Sequence, residues 1–423
     1  MNRYQQIIGR INYGLFLAIV ALLPAPQIVL RYACVAWIIL WFLEGRWLTF
    51  SLRRSAVRVQ VIPFLLFALW YGWKAVSGLW AADHAAWAWQ MERYMTFGLL
   101  LPVGIWGVNE WYDWRTAGKV LVAGCVSALP IYLGYMTALF YHPEWVPASF
   151  LNNEWTQHTD WWMFFSDNIS HIKHRLFLCS VELFGAIIAF RLYRRRLRIL
   201  LPLWAARLSV IPLTSSRQSI LTAVALFIVG LIALVPKPRR LRYGIAIGIS
   251  GIVLGAGLLH FHPRMQEFEL SDIKEMRDLS YYHDVRLNIW GAALQHPQDY
   301  IAYGLGAGQS GNYLKEKYQA VHFDGYVAKQ YHAHCQYLEE AMEIGLPGLL
   351  FFLLAWLSIP VCTSKKGRQT ALLFTFLFIL NMFTDCVFGK FDGVALWAVG
   401  LLFILLQSDP QREEQPAGDT ERH

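Results

Sequence analysis

The chain has 423 residues, 56% of them hydrophobic and only 16% charged, with 19 tryptophans and a mean hydropathy of +0.35. That balance excludes a soluble globular protein and points to a polytopic, all-α membrane protein. The formal charge of +8 lies mostly in short connections between apolar runs, so it reads as a topology signal and not as a nucleic-acid footprint.

A spanning helix needs about 20 mostly apolar residues, and about twelve stretches qualify. They lie near 11–24, 28–44, 61–79, 95–108, 117–139, 172–190, 198–213, 217–235, 243–260, 335–361, 369–387 and 391–407. Residues 1–260 thus form helices one to nine, 261–333 a large and partly helical loop, 334–407 helices ten to twelve, and 408–423 a polar tail. The start "MNRYQQIIGR" and the "PAP" after the first run faintly resemble a signal peptide. A second span follows at once without a small-residue cleavage site, so the segment is expected to remain.

Loops rich in Lys and Arg stay in the cytoplasm. The basic connections are "GRWLTFSLRRSAVR" (45–58), "RLYRRRLR" (191–198), "PKPRRLR" (236–242) and "SKKGR" (364–368), each after an even-numbered span. Both termini are therefore expected in the cytoplasm, and the loops 140–171 and 261–333 outside. The six cysteines give no disulfide framework; four lie in or beside spans, where a thiol is a small apolar group.

Three helix starts on the outer side carry cations or histidine: "SHIKHR" (170–175), "TSSRQS" (214–219) and "YHAHCQ" (331–336). A cation at a helix N-terminus is unfavourable by roughly 0.3–1 kcal/mol. A bound oxyanion or phosphate removes the objection, because unpaired N–H groups and arginine together make an anion site. The bland reading is that Lys173 and Arg217 snorkel to lipid headgroups. In the large loop, Arg286, Ile289, Trp290 and Ala293 share one face of a short helix ended by His296-Pro297. Gly306-Ala-Gly308-Gln-Ser-Gly311 follows. It is a literal GxGxxG, but it lacks the strand of a βαβ unit, so it reads as a tight loop that approaches a ligand and not as a dinucleotide fingerprint.

"YHAHCQYLEEAMEIGLPG" (331–348) then places His332 and His334 at the head of an apolar run that contains Glu339, Glu340 and Glu343. At 100° per residue, Glu339 and Glu343 stand roughly 140° and 180° round from His334 and about 7 and 13 Å deeper. Intramembrane carboxylates face a cavity or pair inside the bundle. The structural reading is that they lock this helix to its neighbours and thereby aim His334; a proton pathway is the alternative. His334 taken alone also reads as a helix cap. His332, His334 and Cys335 match no common metal-ligand spacing, and no carboxylate or second cysteine pair stands nearby in sequence to complete them, so no metal site is expected.

The run from His334 to Gly345-Leu-Pro-Gly348 resembles the signature helix of the O-antigen ligase and polymerase superfamily, which begins with His-Asn and ends in Gly-x-x-Gly. "SSRQSILTAVALF" around Arg217 is similar to that family's Ser-Arg-Gly stretch, and "VRLNIWGAALQHPQDYIAYGLGAG" to its Arg…Trp…His-Pro…Gly-x-Gly segment. Cys335 stands where the family has Asn, and Gln218 where it has Gly. The resemblance covers about the last half of the chain; the first half matches in hydropathy only.

The resemblance implies a GT-C-like inner-membrane transferase with a periplasmic active site. It would move a glycan from undecaprenyl diphosphate to a lipid A-core sugar hydroxyl, without metal, nucleotide or other cofactor, and the ligase branch is preferred. The residue chemistry fits independently. Displacing a lipid diphosphate needs cations for the leaving group, here Arg217 and Arg286 supported by Arg175 and Lys173. It also needs a base for the incoming hydroxyl, here His334, with His332, Glu339 and Glu343 in support. A polymerase or a protein O-oligosaccharyltransferase uses the same donor. A lipid-linked glycan flippase is the reading from another class, but it offers no reason for Arg286 in a long outer loop and no internal repeat symmetry is visible.

Overall fold

The computed structural model describes residues 3–45, 59–147, 157–193, 196–214, 216–234, 245, 285–320 and 332–408. Among them all regular structure is helical. In chain order the helices are α1 (Arg3–Leu22), α2 (Gln27–Leu43), α3 (Ile62–Val76), α4 (His84–Trp106), α5 (Trp114–Tyr141), α6 (Trp161–Ile172), α7 (Arg175–Tyr193), α8 (Leu197–Leu208), α9 (Val210–Leu213), α10 (Arg217–Leu234), α11 (Val285–Leu294), α12 (Ser310–Ala320), α13 (Gln336–Val361), α14 (Arg368–Met382) and α15 (Phe391–Ser408).

Several ends are written locally. Asp83 Oδ1 accepts the amides of Ala85 at 2.9 Å and Ala86 at 3.0 Å and so starts α4. Asp113 does the same for α5 through Arg115 and Thr116, and Asp160 for α6 through Met163. Each carboxylate satisfies N–H groups that a helix start leaves orphaned. Gly107, with φ of +81°, closes α4.

Six helical segments are long and apolar enough to cross a membrane: Arg3–Leu22, Val59–Leu79, Trp114–Tyr141, Arg175–Tyr193, Gln336–Val361 and Phe391–Ser408. Gln27–Leu43, Gln218–Gly230 and Arg368–Met382 are shorter apolar helices. The polytopic membrane class stands, and the finer expectation of twelve spans is met in part. The stretch 95–108 is the second half of α4, whose first half carries Glu92 and Arg93. The stretch 198–213 divides into α8 and α9, and the twelve residues of α8 rise only about 18 Å, short of a hydrocarbon core of about 30 Å. The expected span at 243–260, apart from residue 245, lies outside the described residues, as do much of the loop 261–333 and the tail from 409.

Helix α13 packs against several other helices. It lies against α3 and α14, while α4 packs on α3 and α15 and α10 packs on α14. Phe67, Trp70, Phe97, Trp356, Phe388 and Trp397, all at most 1% exposed, join these elements in one aromatic core. Phe97 and Trp397 stack with centroids 4.2 Å apart, and Phe67 meets Trp397 edge-on at 5.2 Å. Each such pair contributes about 0.5–1.5 kcal/mol beyond its buried area. On the outside, Ile28, Tyr32, Val35 and Ile39 of α2 and Leu346, Leu350, Leu354 and Leu357 of α13 stay exposed at helical spacing. A lipid tail is as apolar as these side chains, so their exposure costs little in a bilayer.

Candidate active site

The site grows from a break in α13. Gly345 takes φ of +65° and ψ of −171°, which splits the helix. Pro347 has no N–H, so the carbonyl of Glu343 loses its usual partner, and the turned backbone frees that of Met342. The loop before α12 supplies both. Leu305 N–H donates to Met342 O and Gly306 N–H to Glu343 O, each at 2.8 Å, while Leu346 N–H donates to Ile301 O at 2.8 Å. A Cβ on Gly304 would stand 2.3 Å from Glu343 O, and one on Gly308 2.5 Å from Ala86 O. The expectation that the GxGxxG loop approaches a ligand is thereby corrected. Its glycines make room for backbone, and the loop is fitted to the helix break.

In the segment before the break the glutamates find partners. Lys74 of α3, with no exposed side-chain surface, donates to Glu343 Oε2 at 2.6 Å and Glu340 Oε2 at 3.1 Å. Trp70 Nε1 adds a bond to Glu340 at 2.8 Å, and Gln336 Nε2 donates to its other oxygen at 2.7 Å. Glu343 Oε1 accepts the Gly308 amide at 2.8 Å. Glu339 accepts the Ser310 hydroxyl at 2.6 Å and the Ala333 amide at 2.9 Å. Two of the three buried carboxylates, Glu340 and Glu343, thus share one ammonium, and neutral donors complete the set around all three, as buried polar groups require. The structural reading of Glu339 and Glu343 fits this placement.

These bonds fix the position of His334. Ala333 is fully buried; its N–H goes to Glu339 and its carbonyl accepts Trp290 Nε1 of α11 at 2.9 Å. His334 follows with φ of +48°, the one described residue other than glycine with positive φ. A non-glycine residue in that region is strained, and such strain concentrates at working sites. Its N–H donates to His332 Nδ1 at 3.1 Å, and the two rings lie 4.1 Å apart.

Tertiary structure then adds groups that sequence reading missed. Ligand atoms of His332, His334 and Asp385 all lie within 4.8 Å of one another. This corrects the expectation that no carboxylate completes the histidine cluster: Asp385 arrives from the turn between α14 and α15. Its Oδ1 accepts the Cys386 amide at 2.8 Å. Lys390 Nζ bridges Asp385 Oδ2 at 3.1 Å and His174 Nε2 at 2.9 Å. Burial pushes the Asp385 carboxyl up, but Lys390 first, then His174 and His332, outweigh it and hold it down at about 2. Burial, then His334, lowers His332 to about 4; burial, then Lys390, lowers His174 to about 3. Both rings are therefore neutral and Asp385 ionised near pH 7. The cluster "DCVFGKFD" (385–392) between two apolar runs was a legible signal, though its partners were not.

Of the expected anion-binding residues, Arg217 begins α10, and its side chain lies outside the described ones. That helix start is docked by Gln218, whose Nε2 donates to Leu380 O at 2.8 Å. The replacement of the family's Gly by Gln218 therefore ties α10 to the α14 end that leads into Asp385. Arg286 is half-buried on α11, the helix that also presents Trp290. Arg175 follows His174 directly and lies 4.0 Å from Asp167. Lys173 is a correction. It caps the C-terminus of α6 rather than opening a helix, and its ammonium, 1% exposed, bonds Asp392 at 2.6 Å in the first turn of α15. A cation at a helix C-terminus and an acid at an N-terminus each complement the local dipole, so this pair is a structural brace.

Beside Cys335 opens a cavity of about 590 Å³. Trp290 and Leu294 of α11, Leu338, Leu349 and Leu353 of α13 and Phe383 beyond α14 line it, an almost wholly apolar wall. The site thus has a polar cluster of histidines, acid and cations, and Cys335, the residue after His334, lines the apolar cavity. Residues 202–353 match the family model of the O-antigen ligases. The match supports the O-antigen ligase and polymerase superfamily, in agreement with the resemblance seen in the sequence. No match to a curated protein was found. The matched segment contains Arg217, Arg286 and His334, whereas His174, Asp385 and Lys390 complete the polar cluster from outside it, as Lys74 does the buried glutamate cluster.

Proposed function

We propose that the protein is a membrane glycan ligase. It transfers a glycan from undecaprenyl diphosphate to a hydroxyl of a lipid A-core sugar at the periplasmic face of the bacterial inner membrane, with both termini in the cytoplasm. The O-antigen ligase match supports ligase-like or polymerase activity. The observation that carries the reading is the sequence of His334 and Cys335: a histidine with positive φ is followed directly by a residue that lines an apolar cavity of about 590 Å³. A lipid-linked substrate needs such a place for its isoprenoid chain, with its diphosphate at the polar cluster. There Arg217 and Arg286, with Arg175, hold the diphosphate. His334 takes the acceptor hydroxyl proton as the oxygen attacks the anomeric carbon, and the bond from that carbon to the diphosphate oxygen breaks. Attack from the face opposite the leaving group inverts the anomeric centre. Ionised Asp385, within 4.8 Å of the histidine nitrogens, favours the imidazolium that forms, as a carboxylate does beside a general-base histidine.

His334→Ala tests this in purified, folded protein. Donor binding stays near normal while turnover falls by roughly 10²–10⁴, the usual contribution of a general base, or about 3–5 kcal/mol of barrier. Near-normal turnover in that variant overturns the assignment. Deleting the gene separates ligase from polymerase by gel analysis of envelope glycolipids. Loss of the long chains from lipid A, with lipid-linked polymer accumulating, marks a ligase; lipid A-core capped by a single repeat marks a polymerase.

A further inference from the structure

We propose that His332, His334 and Asp385 form a binding site for a transition-metal dication of the zinc type, and that a bound ion takes His334 out of the transfer reaction. Only the second part rests on the proposed function. Two imidazoles and one carboxylate are a common zinc donor set, and these three lie within 4.8 Å of one another, the one such group among the described residues. Zinc holds N and O ligands at about 2.0–2.2 Å in a tetrahedron, so the donors must close in by roughly an ångström. His332 and His334 are half-buried and Asp385 is buried, which leaves the rings room to turn and the ion a way in.

The cluster already holds a cation. Lys390 places its ammonium between Asp385 Oδ2 and His174 Nε2 at 3.1 and 2.9 Å. Asp385 Oδ1 stays anchored on the Cys386 amide, so Oδ2 is the oxygen that a metal takes when the ammonium withdraws. His174 Nε2, 3.8 Å from that oxygen, then stands in reach as a fourth ligand. Nitrogen-rich donors select zinc, copper or nickel over magnesium or calcium. Ligation through either ring nitrogen of His332 competes with the bond its Nδ1 accepts from His334 N–H at 3.1 Å: metal on Nδ1 displaces it, and metal on Nε2 leaves the proton on Nδ1. A bound ion therefore occupies the base and also loosens the backbone contact that seats it, so transfer and metal occupancy exclude one another.

The test uses the full-length protein in detergent, stripped with chelator and titrated with Zn²⁺ against a chromophoric chelator, with Co²⁺ absorption reporting coordination. One saturable Zn²⁺ site is expected, unaffected by excess Mg²⁺. His332→Ala and Asp385→Asn weaken it by at least about tenfold, and Lys390→Met, which removes the competing ammonium, tightens it. Thermal melting confirms that each variant is folded. Absence of a saturable site in the wild-type chain overturns the proposal without reference to any variant, as does an affinity unchanged by all three substitutions. Added Zn²⁺ should stop transfer, and chelation should restore it. Binding as expected with transfer undiminished keeps the metal site but overturns its link to the base, and with it the role of His334.

Discussion

Replacing Lys74 by methionine removes the one ammonium shared by Glu340 and Glu343. Its side chain has no exposed surface, and its two bonds are 2.6 and 3.1 Å long. Methionine fills similar volume, so the loss is electrostatic and not a cavity. Truncating one partner of a buried ion pair costs about 3–5 kcal/mol, because the other charge is left uncompensated. Glu343 keeps the Gly308 amide, and Glu340 keeps Trp70 and Gln336, which places the expected loss toward the lower figure. Unfolding in mixed micelles, followed by tryptophan fluorescence, should show it, with melting lowered by about 3–4 °C. Glu340→Gln alone should cost less, about 1–2 kcal/mol, since Lys74 keeps Glu343. The double variant should recover part of the loss, with a coupling of about 1–3 kcal/mol. A Lys74→Met protein as stable as wild type, or strict additivity in the cycle, refutes the reasoning that this ammonium holds the first half of α13 to α3.

Two further outcomes follow from the same geometry. Gly345→Ala forces an alanine into a region open almost only to glycine, at about 1–3 kcal/mol for the conformation alone. Its Cβ would also stand 2.6 Å from Gly304 N, so limited proteolysis should cut the 301–311 segment faster than in wild type; unchanged protection refutes the docking of loop on break. Leu349→Trp fills the cavity beside Cys335 and should raise KM for a lipid diphosphate donor while the protein still melts cooperatively, at a cost no greater than the about 1–3 kcal/mol of a small-to-large change. An unchanged KM places the donor chain elsewhere.

Much of the frame is local and therefore legible in the sequence. Apolar runs of spanning length give a membrane protein, because only internal backbone pairing survives in lipid. The short helix with Arg286, Ile289, Trp290 and Ala293 is found at Val285–Leu294, with Ile289 and Ala293 fully buried. The histidine helix begins at Gln336, directly after His334-Cys335, and the O-antigen ligase match falls on the segments whose motifs suggested it. Those features depend on periodicity and spacing within a few turns.

Pairing between distant segments is another matter. A lysine inside an apolar run announces a buried partner but not which one; Lys74 finds Glu340 across 266 residues. Lys390 meets His174 across 216, and Lys173 changes role because α6 ends where a new helix seemed to start, with Asp392 waiting 219 residues on. The GxGxxG loop reads the same whether a phosphate or a carbonyl faces it, and only the break at Gly345 decides for the carbonyl. Composition and spacing set which elements form, while the partner of each buried charge is set by which helix faces meet, and that is a property of the packed bundle alone.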